Sequence, residues 1–158
     1  PSRTNSPSRS PRRRSGLRVR RQGWRQRAKS EMEEAITALL SGVAGGRRFW
    51  TRAPQKQADG SAMPRPYVVL FRIDGVPSYH YRGRDLISSR IQANCYSDTF
   101  TSAKQTARAL IAAVEGHSAG IIQGIFIEDA GRDVTASDPG EVTPLFAIAV
   151  EFTVIHSA

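Results

Sequence analysis

One group of acidic side chains lies near the C-terminal end of the sequence. Residues 129–143 (DAGRDVTASDPGEVT) contain four acids, with one basic residue among them. The acids are Asp129, Asp133, Asp138 and Glu141, and the basic residue is Arg132. Calcium prefers carboxylate ligands, but the alternating spacing of a calcium-binding loop is absent. The stretch therefore predicts a solvated polar loop or, alternatively, a surface that repels a polyanion or meets a basic neighbour.

The histidines and the cysteine form no recognisable catalytic or metal-binding pattern. His80, His117 and His156 lack the short spacings that hold zinc. Cys95 occupies an apolar strand position, where a buried structural thiol is expected rather than a nucleophile. The sequence also contains no phosphate-binding glycine loop and no serine-nucleophile motif. We therefore predict no enzyme, no metal and no cofactor.

The residues from 87 to 116 give the strongest structural pattern, a strand followed directly by a helix. Apolar or small side chains alternate with polar ones over the first ten residues, which predicts a strand with one buried face. Asp98 or Thr99 then supplies an N-cap, and Gly116 is suited to a left-handed C-terminal cap. An apolar stripe at helical spacing predicts one long helix over about residues 99–115 that packs on the sheet.

Weaker patterns predict the remaining elements. A capping box at Ser30–Glu33 begins a short helix that ends at Ser41 and Gly42. Strands are predicted at residues 47–52, 67–73, 78–82, 121–128 and 145–156, with those from 67 to 96 forming an antiparallel meander. Gly124 is a candidate bulge. The predicted fold is α+β with two layers: a mainly antiparallel sheet of about 4–6 strands, with a short N-terminal helix and the long helix on one face.

The positive charge belongs to the first thirty residues. Residues 1–30 contain 11 of the 23 basic residues and no acid, which leaves 12 basic and 14 acidic residues, a net charge of −2, in residues 31–158. The first segment, rich in Arg, Ser and Pro, is predicted to be disordered, and residues 31–158 to form a single domain. No apolar run is long enough for a membrane span.

Three interpretations of the N-terminal segment are open. It is an arm that binds nucleic acid, a segment that docks on a partner, or a leader outside the mature protein. Met32 favours the leader, because it stands where the foldable sequence begins. The candidate contacts of the arm are Arg12, Arg13, Arg14, Arg18, Arg20 and Arg21. A further basic and aromatic run at residues 79–82 could stack on bases or simply cover a strand edge.

The order of elements from Met32 to His156 resembles the small tail-completion, or tail-terminator, proteins of long-tailed bacteriophages and related gene-transfer particles. The most diagnostic pieces are Pro66-Tyr67-Val68-Val69 and the segment from Arg90 to Ala109. These are packing motifs rather than catalytic ones, so the resemblance specifies the fold more firmly than the function. Residues 1–31 lie outside it.

The resemblance implies a structural virion protein of the tail at the head–tail junction, assembled in the cytoplasm of a bacterial host. Such proteins form a hexameric ring on the head-proximal end of the tail tube, stop its polymerisation and dock the head connector. The implied partners are further copies of the chain, the tail tube protein and a head-connector or neck protein. DNA is expected to pass through the lumen without sequence-specific binding, and no membrane is involved.

A closed ring needs two different complementary surfaces on each subunit. On this expectation, the exposed parts of Phe49, Trp50, Tyr79 and Tyr81 are candidates for the subunit interface. The polar stretch with Asp129, Arg132, Asp133, Asp138 and Glu141 is a candidate for the lumen or for axial contacts, as is the loop after residue 53. Two alternatives remain: another head–tail connector or neck protein, and an oligomeric nucleic-acid-binding protein that uses the basic arm.

Overall fold

A computed structural model describes residues 31–81, 83–135 and 144–158. Residues 31–39 form the first helix, α1, and a 3-10 segment at Leu40–Gly46 follows it. Met32, Ile36 and Leu40 repeat at helical spacing and are fully buried, as the apolar pattern predicts. The predicted capping box depends on Ser30, which lies outside the described residues.

Six strands form one sheet. They are β1 (Arg48–Trp50), β2 (Tyr67–Arg72), β3 (Val76–His80), β4 (Gly83–Ser97), β5 (Ile122–Thr135) and β6 (Phe146–Ser157). The order across the sheet is β1-β2-β4-β6-β5, and β3 also pairs with β4. β1 runs parallel to β2, and every other pairing is antiparallel. The prediction of a mainly antiparallel sheet is confirmed.

The second helix, α2 (Phe100–Val114), covers one face of this sheet. Thr99 is its N-cap, and the Thr99 side-chain oxygen accepts a hydrogen bond from the Ser102 amide at 3.2 Å. Gly116 follows the helix with φ +68°, the left-handed conformation that favours glycine. The buried residues of α2 are Ala103, Thr106, Ala107, Leu110 and Val114. Together with α1, α2 forms the second layer of a two-layer α+β fold, as predicted.

Alternation along β4 and β6 determines which side chains enter the core. Ile91, Ala93 and Cys95 of β4 are fully buried beneath α2, and so are Phe152 and Val154 of β6. The intervening residues lie on the opposite face, which we call the outer face. The predicted assignment of the β4 side chains to two faces is therefore confirmed.

The predicted meander is wrong in one respect, because β2 does not pair with β3. The two strands instead lie end to end along the same side of β4, which is 15 residues long. Asp74 lies between the two strands, and the chain does not reverse there. The Asp74 carboxylate accepts a hydrogen bond from the Arg90 amide of β4 at 3.2 Å. The Asp74 side chain thus takes the place of a backbone partner and keeps the two short strands on one line.

The predicted loop over residues 129–143 is wrong for its first half. β5 continues to residue 135 and pairs there with the start of β6, after register shifts on either side of Asp129. Such shifts are β-bulges, and they absorb the Ala-Gly sequence at positions 130 and 131 without ending the strand. The bulge predicted for Gly124 lies directly before it: the register shifts between residues 122 and 124, so Gln123 has no Cα partner and Gly124 pairs with Ile155. Residues 136–143 lie outside the described residues.

Candidate assembly surfaces

A hairpin built from β3 and the start of β4 carries the most exposed aromatic side chains. β4 pairs with β6 only from residue 86 onward, so the hairpin extends past the rest of the sheet. Val76 is 63 % exposed, Tyr79 69 % and Tyr81, in the turn, 91 %. Large apolar groups so exposed on an extension of the fold are typical of a contact with another protein. The hairpin therefore contains two of the four predicted interface residues.

The other two predicted interface residues lie on opposite sides of β1. The ring of Phe49 meets that of Tyr67 edge-to-face, at 6.5 Å between centroids, and Tyr67 stacks on Tyr96 at 5.1 Å. Trp50 points the other way and packs against the core, where its indole N–H donates to the Thr37 hydroxyl at 2.9 Å. The pKa of Tyr67 is raised, mainly by burial and to a lesser extent by the neighbouring Tyr96, whereas the charge of Arg65 opposes this shift.

These aromatic side chains do not form one patch. Phe49 pairs through β2 with Asn94 of β4, whereas Tyr79 pairs with Arg84. The two positions on β4 are ten residues apart, which corresponds to roughly 33 Å at about 3.3 Å per residue. The structure thus separates the predicted interface residues into a hairpin pair and a β1 pair.

The acidic residues of β5 lie near basic side chains that partly neutralise them. Arg132 contacts the Glu151 carboxylate at 3.0 Å and that of Asp129 at 3.8 Å. Lys104 of α2 lies 2.9 Å from the Asp133 carboxylate. No sequence pattern connects Lys104 with this stretch, because only the packing of α2 brings the two together. Asp138 and Glu141, the other acids predicted for this site, lie outside the described residues.

A buried polar cluster that the sequence analysis missed lies on the α2 side of the sheet. An Nη2 hydrogen of Arg72 donates to the Ser89 hydroxyl at 2.8 Å, and that hydroxyl lies 2.9 Å from Nε2 of His156. His156 Nδ1 lies 2.9 Å from the backbone oxygen of Ser157. One arrangement satisfies all three contacts: Ser89 donates to Nε2, and the Nδ1–H donates to the carbonyl. The alternation of β6, extended by two residues past Val154, would have placed His156 on this face.

A serine hydroxyl bonded to an imidazole is also the arrangement of a nucleophile and its base. Both Ser89 and His156 are fully buried, however, so no substrate can reach the hydroxyl. Burial lowers the pKa of His156, the hydrogen bond to Ser157 opposes this shift, and the charge of Arg72 adds to it. The neutral imidazole is therefore favoured, and the cluster is a structural one.

Cys95 is confirmed as a buried thiol. It is fully buried on β4, and burial raises its pKa to about 12. A neutral thiol in the core is a weak nucleophile. Within the described part of the chain, no group of three His, Cys, Asp or Glu side chains could hold a metal ion. The basic residues predicted for the N-terminal arm, Arg12, Arg13, Arg14, Arg18, Arg20 and Arg21, lie outside the described residues.

Comparison with known proteins identifies the family. A family model described as Tail completion protein gp17 matches residues 32–157, which include almost all of the described fold. The chain belongs to the tail completion protein gp17 family. No curated protein matches the sequence.

The fold of this tail-completion chain is also similar to a solved structure. A chain in the virion of a native gene transfer agent (GTA) particle superposes with a TM-score of 0.53 at 19 % sequence identity. The match covers 78 % of the present chain and 84 % of the other. This likeness concerns the fold. Membership of the tail completion family makes the chain a structural protein of a phage tail. Among the helices that the structure describes, none is both long and apolar enough to cross a membrane.

Proposed function

We propose that the tail-completion chain assembles into a hexameric ring that caps the head-proximal end of the tail tube. The ring ends polymerisation of the tube and joins tail to head, so its working activity is self-association rather than catalysis. The observation that carries this proposal is the family match over residues 32–157, because the matched residues include almost all of the described helices and strands. Its partners are other copies of the chain, the tube protein and a head-connector or neck protein.

The surface chemistry of the described residues supports an assembly function. Exposed aromatic and aliphatic side chains remain on the hairpin and on the outer face, which neither of the described helices covers. Phe126 on β5 is 56 % exposed, although its neighbours on the α2 side are buried (Ile125) or partly buried (Ile127). A ring of identical subunits needs two separate contact surfaces on each copy, because a copy contacts one neighbour with one surface and the other neighbour with the second.

Removal of the gene from a particle-producing genome tests the proposal. Without the chain, we expect tubes of irregular and excessive length that carry no heads, measured by electron microscopy. Complementation with the full chain should restore uniform tails joined to heads. Tubes of normal length that merely lack heads would contradict tube termination and indicate a connector or neck protein instead.

A second function, nucleic-acid binding, is favoured by the 11 basic residues and the lack of acids in residues 1–30. Each phosphate that such an arm neutralises makes binding more salt-dependent. In duplex DNA it adds about −0.9 to the slope of the logarithm of the binding constant against the logarithm of the salt concentration. Complementation with residues 32–158 separates the two functions. The terminator proposal predicts nearly full rescue, whereas an arm that supplies the working affinity predicts none.

A further inference from the structure

The two lateral edges of the sheet carry opposite charge. One edge consists of β1, β3 and the residues between β1 and β2. Without the interior strand β2, residues 47–66 and 73–81 hold five basic and two acidic residues, a net charge of +3. We call it the basic edge. The other edge is β5, which contains three acidic residues and one basic residue, a net charge of −2. We call it the acidic edge. In a head-to-tail ring, one lateral surface of each copy meets the opposite surface of the next.

We infer that the basic edge of one copy docks on the acidic edge of a second copy, with Arg52 facing Glu128 and Val76 facing Phe126. This inference rests on the proposed ring and names the surfaces that close it. It commits to a second copy of this chain because both complementary edges belong to the same molecule.

Glu128 is displayed by a local feature of β5. The register with β6 shifts between Ile127 and Asp129, so Glu128 has no Cα partner on β6 and is the bulged residue. A bulge re-aims the side chain that it carries. Glu128 is exposed and has no ion-pair partner among the described residues, unlike Asp129 and Asp133. It is therefore the acid on this edge that is available to a neighbouring molecule.

Arg52 occupies the corresponding position on the basic edge. Thr51 adopts φ +63°, which turns the chain away from the sheet directly after β1, and Arg52 is exposed at this turn. The Thr51 amide donates to the Leu70 carbonyl at 2.8 Å, so Arg52 leaves the edge near the level of residues 70–72. No carboxylate of the described residues forms an ion pair with Arg52.

The strand register puts Arg52 and Glu128 at the same height on the sheet. Arg72 pairs with Ile91, which pairs with Phe152. Phe152 in turn pairs with Ile127, the residue before Glu128. Arg52 and Glu128 therefore occupy ladder positions within about one residue of each other on the two edges, so a lateral contact between copies can pair them.

The same lateral contact matches a second, apolar pair. Val76 pairs with Ser88, Ser88 with Ile155, and Ile155 with Gly124. The ring of Phe126 lies against Gly124, where an added Cβ would come within 3.1 Å of the ring. Val76 and the Phe126 ring thus stand at one height on opposite edges, and both are more than half exposed. Two independent pairs agree on one placement, and this agreement is the main support for the inference.

The docking is expected to use side chains rather than backbone pairing. β5 is protected against the addition of another strand by its bulges and charged residues. β3 contains Pro77, which lacks the N–H needed for a ladder hydrogen bond. The contact is therefore specific to matched side chains, as a ring with a fixed number of copies requires.

Charge reversal tests the inference on the full chain. Arg52→Glu and Glu128→Arg, each alone, should raise the protein concentration for half-maximal ring assembly by roughly tenfold, because each places like charges opposite one another. The double variant should return assembly to near the wild-type concentration, since the pair is restored with its polarity exchanged. Arg108→Glu on the exposed side of α2 is the matched control and should leave assembly unchanged. Native mass spectrometry in the presence of tube protein measures all four variants.

The outcomes separate this inference from the proposed function. If the wild-type chain forms rings but neither single reversal weakens them, the assignment of the edges is wrong and the ring proposal stands. If the single reversals weaken assembly and the double variant does not recover, Arg52 and Glu128 are not partners. If Arg52→Glu reduces retention of DNA and leaves the rings intact, the basic edge belongs to nucleic acid. If the wild-type chain forms no ring, both proposals fail.

Discussion

The two faces of the sheet are built from the same strands and yet have different uses. On the α2 side, Ile91 and Phe152 are fully buried with the helices over them. On the outer face, Tyr67 and Tyr96 stack on each other away from both described helices, and Phe126 is more than half exposed. Because side chains alternate along a strand, neighbouring residues can be assigned to separate tasks. The core lies on one face, whereas the other face keeps large apolar side chains exposed.

The largest expected effect comes from replacing a phenylalanine on each face. Phe152→Ala should lower the free energy of unfolding by about 3–5 kcal/mol, because it leaves a cavity in the core. Phe126→Ala should change it by less than about 0.5 kcal/mol, because more than half of the ring is already exposed. Urea denaturation followed by circular dichroism measures both. Equal losses would show that the faces are not separable in this way.

A smaller effect sharpens the comparison through pH. His156 is fully buried on the α2 side, and burial lowers its pKa, so the unfolded state binds a proton more readily. Stability should therefore fall as the pH decreases from the unfolded-state pKa, about 6.5, through the lower folded-state value, and this contribution should then level off. Denaturation midpoints between pH 7 and pH 4.5 measure the slope.

The matched control for this slope is another histidine. His156→Gln should remove the part of the pH dependence that arises from His156, whereas His117→Gln, after the end of α2, should retain it. A wild-type slope that persists in His156→Gln would assign the effect to carboxylates and contradict a role for the buried imidazole.

The elements with strong local signals could be predicted from the sequence. The β4 alternation, the Thr99 cap and the left-handed Gly116 each depend on residues close in the chain, and the structure has all three. The strand extension at residues 129–135 could not be predicted, because Asp, Gly and Arg are poor strand formers. Pairing with β6 and neutralisation by Lys104 override that preference.

The sequence also predicted the kinds of residue in the candidate site better than their arrangement. The sequence predicts exposed aromatic side chains at positions 79 and 81, and Tyr79 and Tyr81 are exposed, but periodicity cannot show that Trp50 turns toward Thr37. The edge pair of Arg52 and Glu128 depends on strand order and on a bulge, both set by long-range pairing. Strand patterns specify faces, whereas neighbours and heights on the sheet come only from the fold.

The most direct test of self-association is the native mass of the assembly that the full chain forms on tail tubes. We predict one discrete hexameric species whose copy number does not change with protein concentration, because a ring closes. A ladder of species that grows with concentration would contradict closure. A monomer that stays bound to tubes would contradict self-association altogether.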